Sequence, residues 1–84
     1  MYLAIINGLK YDIYAIGKDM GECKNNLLIA FQRYIEQCGC SIEQWVEDEG
    51  EDFSSYNNNT HTFLLEYYGC RFYDITKGYA FGWE

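Results

Sequence analysis

The sequence predicts an α+β fold: a small antiparallel sheet with one long and one short helix packed on one face. Three observations favour it. Two β-type runs flank Asn7-Gly8, a stripe of apolar residues at helical spacing follows, and the last third of the chain holds aromatic-rich runs separated by glycines. The predicted order of elements is β-β-α-α-β-β-β. With 84 residues, 49% of them hydrophobic, residues 1–84 are expected to form a single compact domain.

The first predicted element is a β-hairpin. The runs 2–6 and 9–16 are rich in strand-forming residues, and both Asn7 and Gly8 tolerate the positive φ of a two-residue type I′ turn. That turn places Ile6 opposite Leu9. The alternation then puts seven residues on one face of the hairpin: Tyr2, Ala4, Ile6, Leu9, Tyr11, Ile13 and Ala15.

Two helices are predicted next. Asp19 is a suitable N-cap for the first, with Glu22 at the capping-box position and Gly39 at C′. Between these ends, apolar residues recur at three- and four-residue steps, as in an amphipathic helix: Met20, Cys23, Leu27, Phe31, Tyr34 and Cys38. Ser41 begins a second, shorter helix with three apolar residues on one side: Ile42, Trp45 and Val46.

The remaining elements are predicted from turn formers and strand formers. Residues 51–60 form a loop, because they include two serines and a run of three asparagines. Residues 61–68 and 70–75 form strands on either side of Gly69, and residues 79–83 form a last short strand after a turn at 76–78.

Charge is segregated along the chain. Between Arg33 and Arg71 there is no Lys or Arg, and this window carries −8, whereas the rest of the chain carries +1. Most of these carboxylates lie in residues 43–52, here called the acidic segment. Three of them, Glu47, Asp48 and Glu49, crowd the predicted C-terminal end of the second helix, where the helix dipole disfavours negative charge. Such a conflict with local stability is expected at functional positions.

The charge pattern excludes some functions and favours one. A net charge of −7 repels phosphates, so direct binding to nucleic acid or to an anionic membrane surface is not expected. The same charge attracts a basic protein surface, and carboxylates along a helix and loop imitate the phosphates of a nucleic acid. We therefore expect a small protein-binding inhibitor that docks on a basic, nucleic-acid-binding site, in its sharpest form a phage-type anti-defence mimic that blocks a host nuclease or defence complex.

The candidate partner-binding residues combine charge with neighbouring aromatic side chains. The six carboxylates supply phosphate-like charge, and Trp45 and Tyr56 are the candidate apolar anchors: Glu43, Trp45, Glu47, Asp48, Glu49, Glu51, Asp52 and Tyr56. The alternative is a solvated helix end and loop, which charge runs usually form. No catalytic motif is found, so no enzymatic activity and no cofactor are predicted.

A second interpretation uses the thiols. Three cysteines and the single histidine could hold Zn²⁺ tetrahedrally in a small regulatory domain: Cys38, Cys40, His61 and Cys70. The spacing matches no common zinc pattern. The N-terminal residues do not resemble a signal peptide, and no apolar run is long enough to cross a membrane, so a cytoplasmic protein with reduced thiols is expected.

The aromatic residues near the C-terminus allow two interpretations. Seven fall within a short stretch, and strand alternation places some of them away from the helices: Tyr67, Tyr68, Phe72, Tyr73, Tyr79, Phe81 and Trp83. They form either a protein-binding face or cross-strand pairs that stabilise the sheet. A homodimer that covers this face is consistent with the pattern, because exposed apolar faces seldom stay uncovered.

Overall fold

The computed structural model describes residues 1–7, 9–78 and 82–83, and it confirms the α+β class. An antiparallel sheet is combined with helices that occupy the middle of the chain. The elements in chain order are β1 (Tyr2–Ile6), β2 (Ile13–Gly17), α1 (Met20–Gln37), α2 (Ile42–Asp48), a 3₁₀ helix (Phe53–Tyr56), α3 (Thr60–Phe63) with its π-helical continuation (Leu64–Tyr68), β3 (Arg71–Asp74) and β4 (Gly82–Trp83).

The sheet has the strand order β2-β1-β3-β4, with every neighbouring pair antiparallel. The predicted register of the first hairpin is wrong, because Ile6 pairs with Ile13 and not with Leu9. The connection is therefore longer than a two-residue turn; Gly8 itself lies outside the described residues. Since the register differs by an even number of residues, the side chains within β1 and β2 keep their predicted faces. The predicted strand 9–16 is shorter than expected, because β2 begins at Ile13 and Tyr11, predicted on the same face, is 65% exposed. Ala4, Ile6 and Ala15 are buried as expected.

α1 packs on one face of the sheet and has the predicted ends. The Asp19 carboxylate accepts a hydrogen bond from the backbone N–H of Glu22 (2.8 Å), which satisfies one of the free donors at the helix start. At the other end Gly39 adopts φ +75°, a left-handed conformation suited to glycine. The helix buries one apolar stripe against β1 and β2: Cys23, Leu27, Phe31 and Ile35.

Gly17 shows why α1 can lie so close to β2. A Cβ atom built on Gly17 would meet the backbone nitrogen of Cys23 at 2.4 Å, so no side chain fits there. The first turn of α1 therefore rests directly on the end of β2. The Cys23 thiol lies at 3.7 Å from the carbonyl oxygen of Ala15 in the same contact.

α2 is short and has the predicted N-cap. The Ser41 hydroxyl accepts a hydrogen bond from the backbone N–H of Gln44 (3.2 Å). The side chain of Gln44 does not complete a capping box and instead donates to the Asp48 carboxylate. Val46 is fully buried, and Gly50, at φ +78°, ends the helix.

Residues 61–68 were predicted as a strand and are helical. Asn59 caps this segment by accepting from the backbone N–H of Thr62 (3.0 Å), and Gly69 at φ +64° ends it. The strand formers Thr, Phe and Tyr favoured the wrong element, because β-propensity depends strongly on tertiary context. Phe63 and Leu64 are both buried, followed four residues later by Tyr67 and Tyr68, which is a helical and not a strand spacing.

The last strands agree in part with the prediction. β3 falls within the predicted strand 70–75, whereas the predicted loop 51–60 contains the 3₁₀ helix. β4 lies within the last predicted strand, of which residues 79–81 are outside the described residues. The sheet face away from α1 carries Tyr14 and Ile16, which are 58% and 54% exposed.

Candidate functional site

The structure distributes the acidic segment over three consecutive pieces of backbone. Glu43, Glu47 and Asp48 lie on α2, Glu49 is its C-cap, and the last two acids lie in the turn that leads to the 3₁₀ helix. Five of the six carboxylates are exposed and Glu51 is half-buried. The segment therefore presents most of its charge to solvent.

Only some of these carboxylates have a partner inside the protein. Asp48 accepts from the side-chain nitrogen of Gln44 (2.8 Å), and Asp52 caps the 3₁₀ helix by accepting from the backbone N–H of Ser54 (3.0 Å). Within the described part of the chain, Glu43 and Glu47 accept no side-chain hydrogen bond. They lie four residues apart on one face of α2, where like charges repel each other.

Two tyrosines donate hydrogen bonds to this segment. The Tyr56 hydroxyl donates to Glu51, and the Tyr67 hydroxyl donates to Glu49 (3.1 Å). The hydrogen bond to Glu51 raises the pKa of Tyr56 to about 12, because a phenol that donates to a carboxylate is harder to ionise. The pKa of Tyr67 is raised by its hydrogen bond to Glu49. The negative charge of Glu66, on the π-helical continuation of α3, also raises the pKa of Tyr56.

An aromatic cluster lies directly beneath these hydroxyl groups. The ring of Tyr67 stacks on Phe63 at 5.0 Å, and Tyr56 meets Phe63 edge-on at 5.1 Å. Both arrangements are favourable for aromatic pairs. The cluster joins α1, α2, the 3₁₀ helix and the α3 region: Phe31, Tyr34, Trp45, Tyr56, Phe63, Tyr67 and Tyr68.

Trp45, a predicted anchor, is integrated in this cluster. Its ring meets Phe31 and Tyr34 edge-on at 6.1 and 5.7 Å, and its indole N–H donates to the Tyr68 hydroxyl (2.8 Å). The polar end of the side chain is therefore already satisfied within the fold. Burial raises the pKa of Tyr68 to about 12, so this hydroxyl stays protonated at neutral pH.

Tyr67 is the aromatic residue of this region with the greatest exposure, at 37%. Tyr67 is not one of the predicted anchors, Trp45 and Tyr56, but it belongs to the seven aromatic residues predicted to form either a protein-binding face or cross-strand pairs. A helical assignment of residues 61–68 would identify Tyr67 as a candidate anchor, since it lies four residues after Phe63 and hence on the same helix face. Its hydroxyl links the cluster to Glu49 and so to the acidic segment.

The predicted zinc site is not assembled. Among the described residues, no group of three or more His, Cys, Asp or Glu side chains is arranged to hold a metal ion. Cys70 is buried and its thiol donates to the carbonyl oxygen of Leu64, whereas Cys38 is exposed at the end of α1. His61 is half-buried, and its Nε2 atom is shielded from solvent.

Three comparisons with known proteins found no match: no family model, no curated protein and no solved structure matches the chain. The interpretation of the acidic segment therefore rests on its own geometry and charge. Among the helices in the described residues, none has the length and apolar character needed to cross a membrane.

Proposed function

We propose that this protein is a small binding module that docks its acidic segment on a basic, nucleic-acid-binding site of a partner protein. The observation that carries the proposal is the pair Glu43 and Glu47, exposed on one face of α2 with no side-chain partner among the described residues, within a window that lacks Lys and Arg. Unpartnered carboxylates in such a row remain available to a cationic surface.

The position of the carboxylates at the end of α2 favours a role in binding over a role in stabilising the helix. Glu47, Asp48 and the C-cap Glu49 lie where the helix dipole is negative, and no basic residue occupies the last turn of α2. A segment selected only for stability would carry Lys or Arg there. A basic partner would relieve the repulsion on binding, and its attraction to the net charge of −7 would speed association.

The exposed phenol of Tyr67 supports a protein partner in particular. Tyrosine is enriched among the residues that dominate interface energies, and a ring stacked on Phe63 loses little conformational freedom on binding. The hydrogen bond to Glu49 places this ring beside the carboxylates. In the sharpest form of the proposal, the partner is a nuclease or another component of a host defence system, and the carboxylates occupy the positions of its substrate's phosphates.

The test compares wild type with two variants of equal charge change. Glu43→Lys/Glu47→Lys reverses the two unpartnered acids of α2. Asp12→Lys/Glu36→Lys reverses two exposed acids outside α2, one before β2 and one on α1, and serves as the matched control. Each tagged protein is used to capture proteins from bacterial lysate, followed by mass spectrometry. We expect a nucleic-acid-binding protein to be captured by wild type and control, to be lost with the α2 variant, and to be released by added DNA or RNA.

The same experiment has clear contrary outcomes. Equal capture by all three proteins, or release that is insensitive to nucleic acid, would show that the acidic segment is only a solvated surface. Circular dichroism of both variants confirms that they are folded. Binding to the captured partner should also weaken as salt increases, because the contact is made by exposed charges.

A further inference from the structure

Two cysteines flank Gly39 at the corner between α1 and α2. Cys38 is the C-cap of α1, Gly39 follows, and Cys40 precedes the N-cap Ser41. Neither thiol is in a disulfide; Cys38 is exposed and Cys40 is half-buried. The docking function proposed above makes no use of them.

The backbone of this corner is held in a fixed conformation. The N–H of Gly39 donates to the carbonyl oxygen of Glu36 (3.0 Å) and that of Cys40 to Ile35 (3.1 Å), the paired hydrogen bonds of a Schellman motif. Gly39 at φ +75° turns the chain back on itself, so the two cysteines are closer than in an extended chain. The Cys40 thiol points back to the carbonyl oxygen of Cys38, 3.8 Å away.

The other two thiols, those of Cys23 and Cys70, are buried. Cys23 is 0% exposed and Cys70 is 6% exposed. Burial raises the pKa of Cys70 to about 11 and also raises that of Cys23. Because the thiolate is the reactive form and must be reached from solvent, thiol chemistry of the folded protein is confined to the pair at the corner.

We propose that Cys38 and Cys40 form a dithiol site that exchanges with small external disulfides. The exposed Cys38 thiolate attacks one sulfur of the external disulfide, which forms a mixed disulfide and releases one thiolate. The Cys40 thiolate then attacks the Cys38 sulfur, which closes the Cys38–Cys40 bond and releases the second thiolate. Two electrons pass from the dithiol to the external disulfide, and the two protons of the cysteines end on the two released thiols.

The resolving residue Cys40 is reached from solvent through a cleft that Cys38 does not line. This cleft has a volume of about 300 Å³ and is lined by Gln32, Ile35, Glu36, Cys40, Ser41 and Ile42. The cleft is open to solvent and lies next to the residue that must resolve the mixed disulfide. The order of attack follows from exposure, since Cys38 is the more accessible thiol.

The test follows the reaction by intact-protein mass spectrometry with hydroxyethyl disulfide, an uncharged probe that the net negative charge does not repel. Wild type is expected to lose two hydrogens and to retain no adduct. Cys40→Ser is expected to accumulate one adduct on Cys38, because the resolving thiol is absent. Cys38→Ser is expected to react about tenfold more slowly, because its remaining thiol is half-buried.

Three results would overturn the proposal. The first is a stable mixed disulfide on wild type, which would show that the Cys38–Cys40 disulfide does not form. The second is Cys38→Ser reacting as fast as wild type, which would remove the assigned order of attack. The third is modification of Cys23 or Cys70 in the folded protein at a similar rate. The lysate capture experiment is independent of all three, because it needs no thiol.

Discussion

The sheet with α1 and the region from α2 to the end of α3's continuation are stabilised by different contacts. In the first region, buried apolar residues of β1, β2 and α1 pack together, and the described residues contribute no buried polar side chain to the core. In the second region, aromatic rings meet edge-on, tyrosine hydroxyl groups donate to carboxylates, and the indole N–H of Trp45 donates to the Tyr68 hydroxyl. The first region buries apolar side chains, whereas the second also leaves most of its carboxylates exposed to solvent.

The two regions are joined by one residue in particular. Phe31 on α1 is fully buried and its ring contacts Trp45 of α2 and Tyr68 of the α3 continuation. The second region therefore depends on the first for its position. Changes at Phe31 should affect both, whereas changes at the acidic segment should leave the sheet intact.

The largest expected effect is that of Phe31→Ala. Removing a fully buried phenylalanine costs about 3–5 kcal/mol, through lost burial and the cavity left behind. That is a large share of the stability of a small domain, so the variant should unfold at a much lower denaturant concentration than wild type. Chemical denaturation measures the change. The control Ile29→Ala truncates a residue of the same helix that is 43% exposed and should cost little; equal losses for both would contradict the assigned core.

A smaller effect distinguishes two adjacent tyrosines of the second region. Tyr68→Phe leaves the indole N–H of Trp45 without its acceptor and should cost about 1–3 kcal/mol. Tyr67→Phe removes an exposed hydroxyl that donates to Glu49 and should change stability by less than about 0.5 kcal/mol. Denaturation of both variants provides the comparison. A larger loss with Tyr67→Phe would show that the exposed hydrogen bond matters more than the half-buried one.

Alkaline pH should weaken the second region. The pKa of Tyr56 is raised to about 12 by its hydrogen bond to Glu51, and that of Tyr68 to about 12 by burial, whereas tyrosine in an unfolded chain titrates at about 10. Their contribution is complete below about pH 10 and is lost as the pH rises to about 12, because the unfolded chain releases its protons first.

The measurement is the free energy of unfolding as a function of pH. Wild type should lose stability more steeply over this interval than Tyr56→Phe/Tyr68→Phe, which lacks both phenols. Parallel curves for the two proteins would show that these hydroxyl groups do not stabilise the folded state.

The smallest expected effect has the opposite sign. Glu47→Lys places a cation near the negative end of the α2 dipole and opposite Glu43 one turn away, which should stabilise the protein by about 0.3–1 kcal/mol. Glu47→Gln should give part of this gain. Thermal unfolding at low salt measures both. A decrease in stability with either substitution would mean that Glu47 has a structural role.

Errors of the sequence analysis fall mainly where distant contacts decide the conformation. The caps of α1 and α2 were predicted correctly, because Asp19 and Ser41 hydrogen-bond to backbone groups three residues away. The predicted hairpin register was wrong because it depended only on the local turn preference of Asn7-Gly8. The actual register also depends on the pairing of β1 with both β2 and β3. The segment 61–68 was wrong because its residues favour strands locally, yet Phe63 packs in a helix-built aromatic cluster.

The sequence likewise predicts only part of the candidate site. The acidic segment follows from the sequence alone, since its charges are adjacent along the chain. The roles of its aromatic neighbours do not, because Trp45 is tied to Tyr68 across 23 residues and Tyr67 reaches Glu49 across 18. Only the folded chain shows which ring is exposed and which is packed.

The sequence by itself determined the α+β class, both helix starts, the two faces of the first hairpin and the segregation of charge, because these depend on spacing and on neighbours along the chain. The tertiary structure decided the strand register, the helical state of residues 61–68, the burial of Cys70 and the exposure of Tyr67. Each of these depends on contacts between residues far apart in sequence, and those contacts outweigh local preferences of a few tenths of a kcal/mol to about 1 kcal/mol.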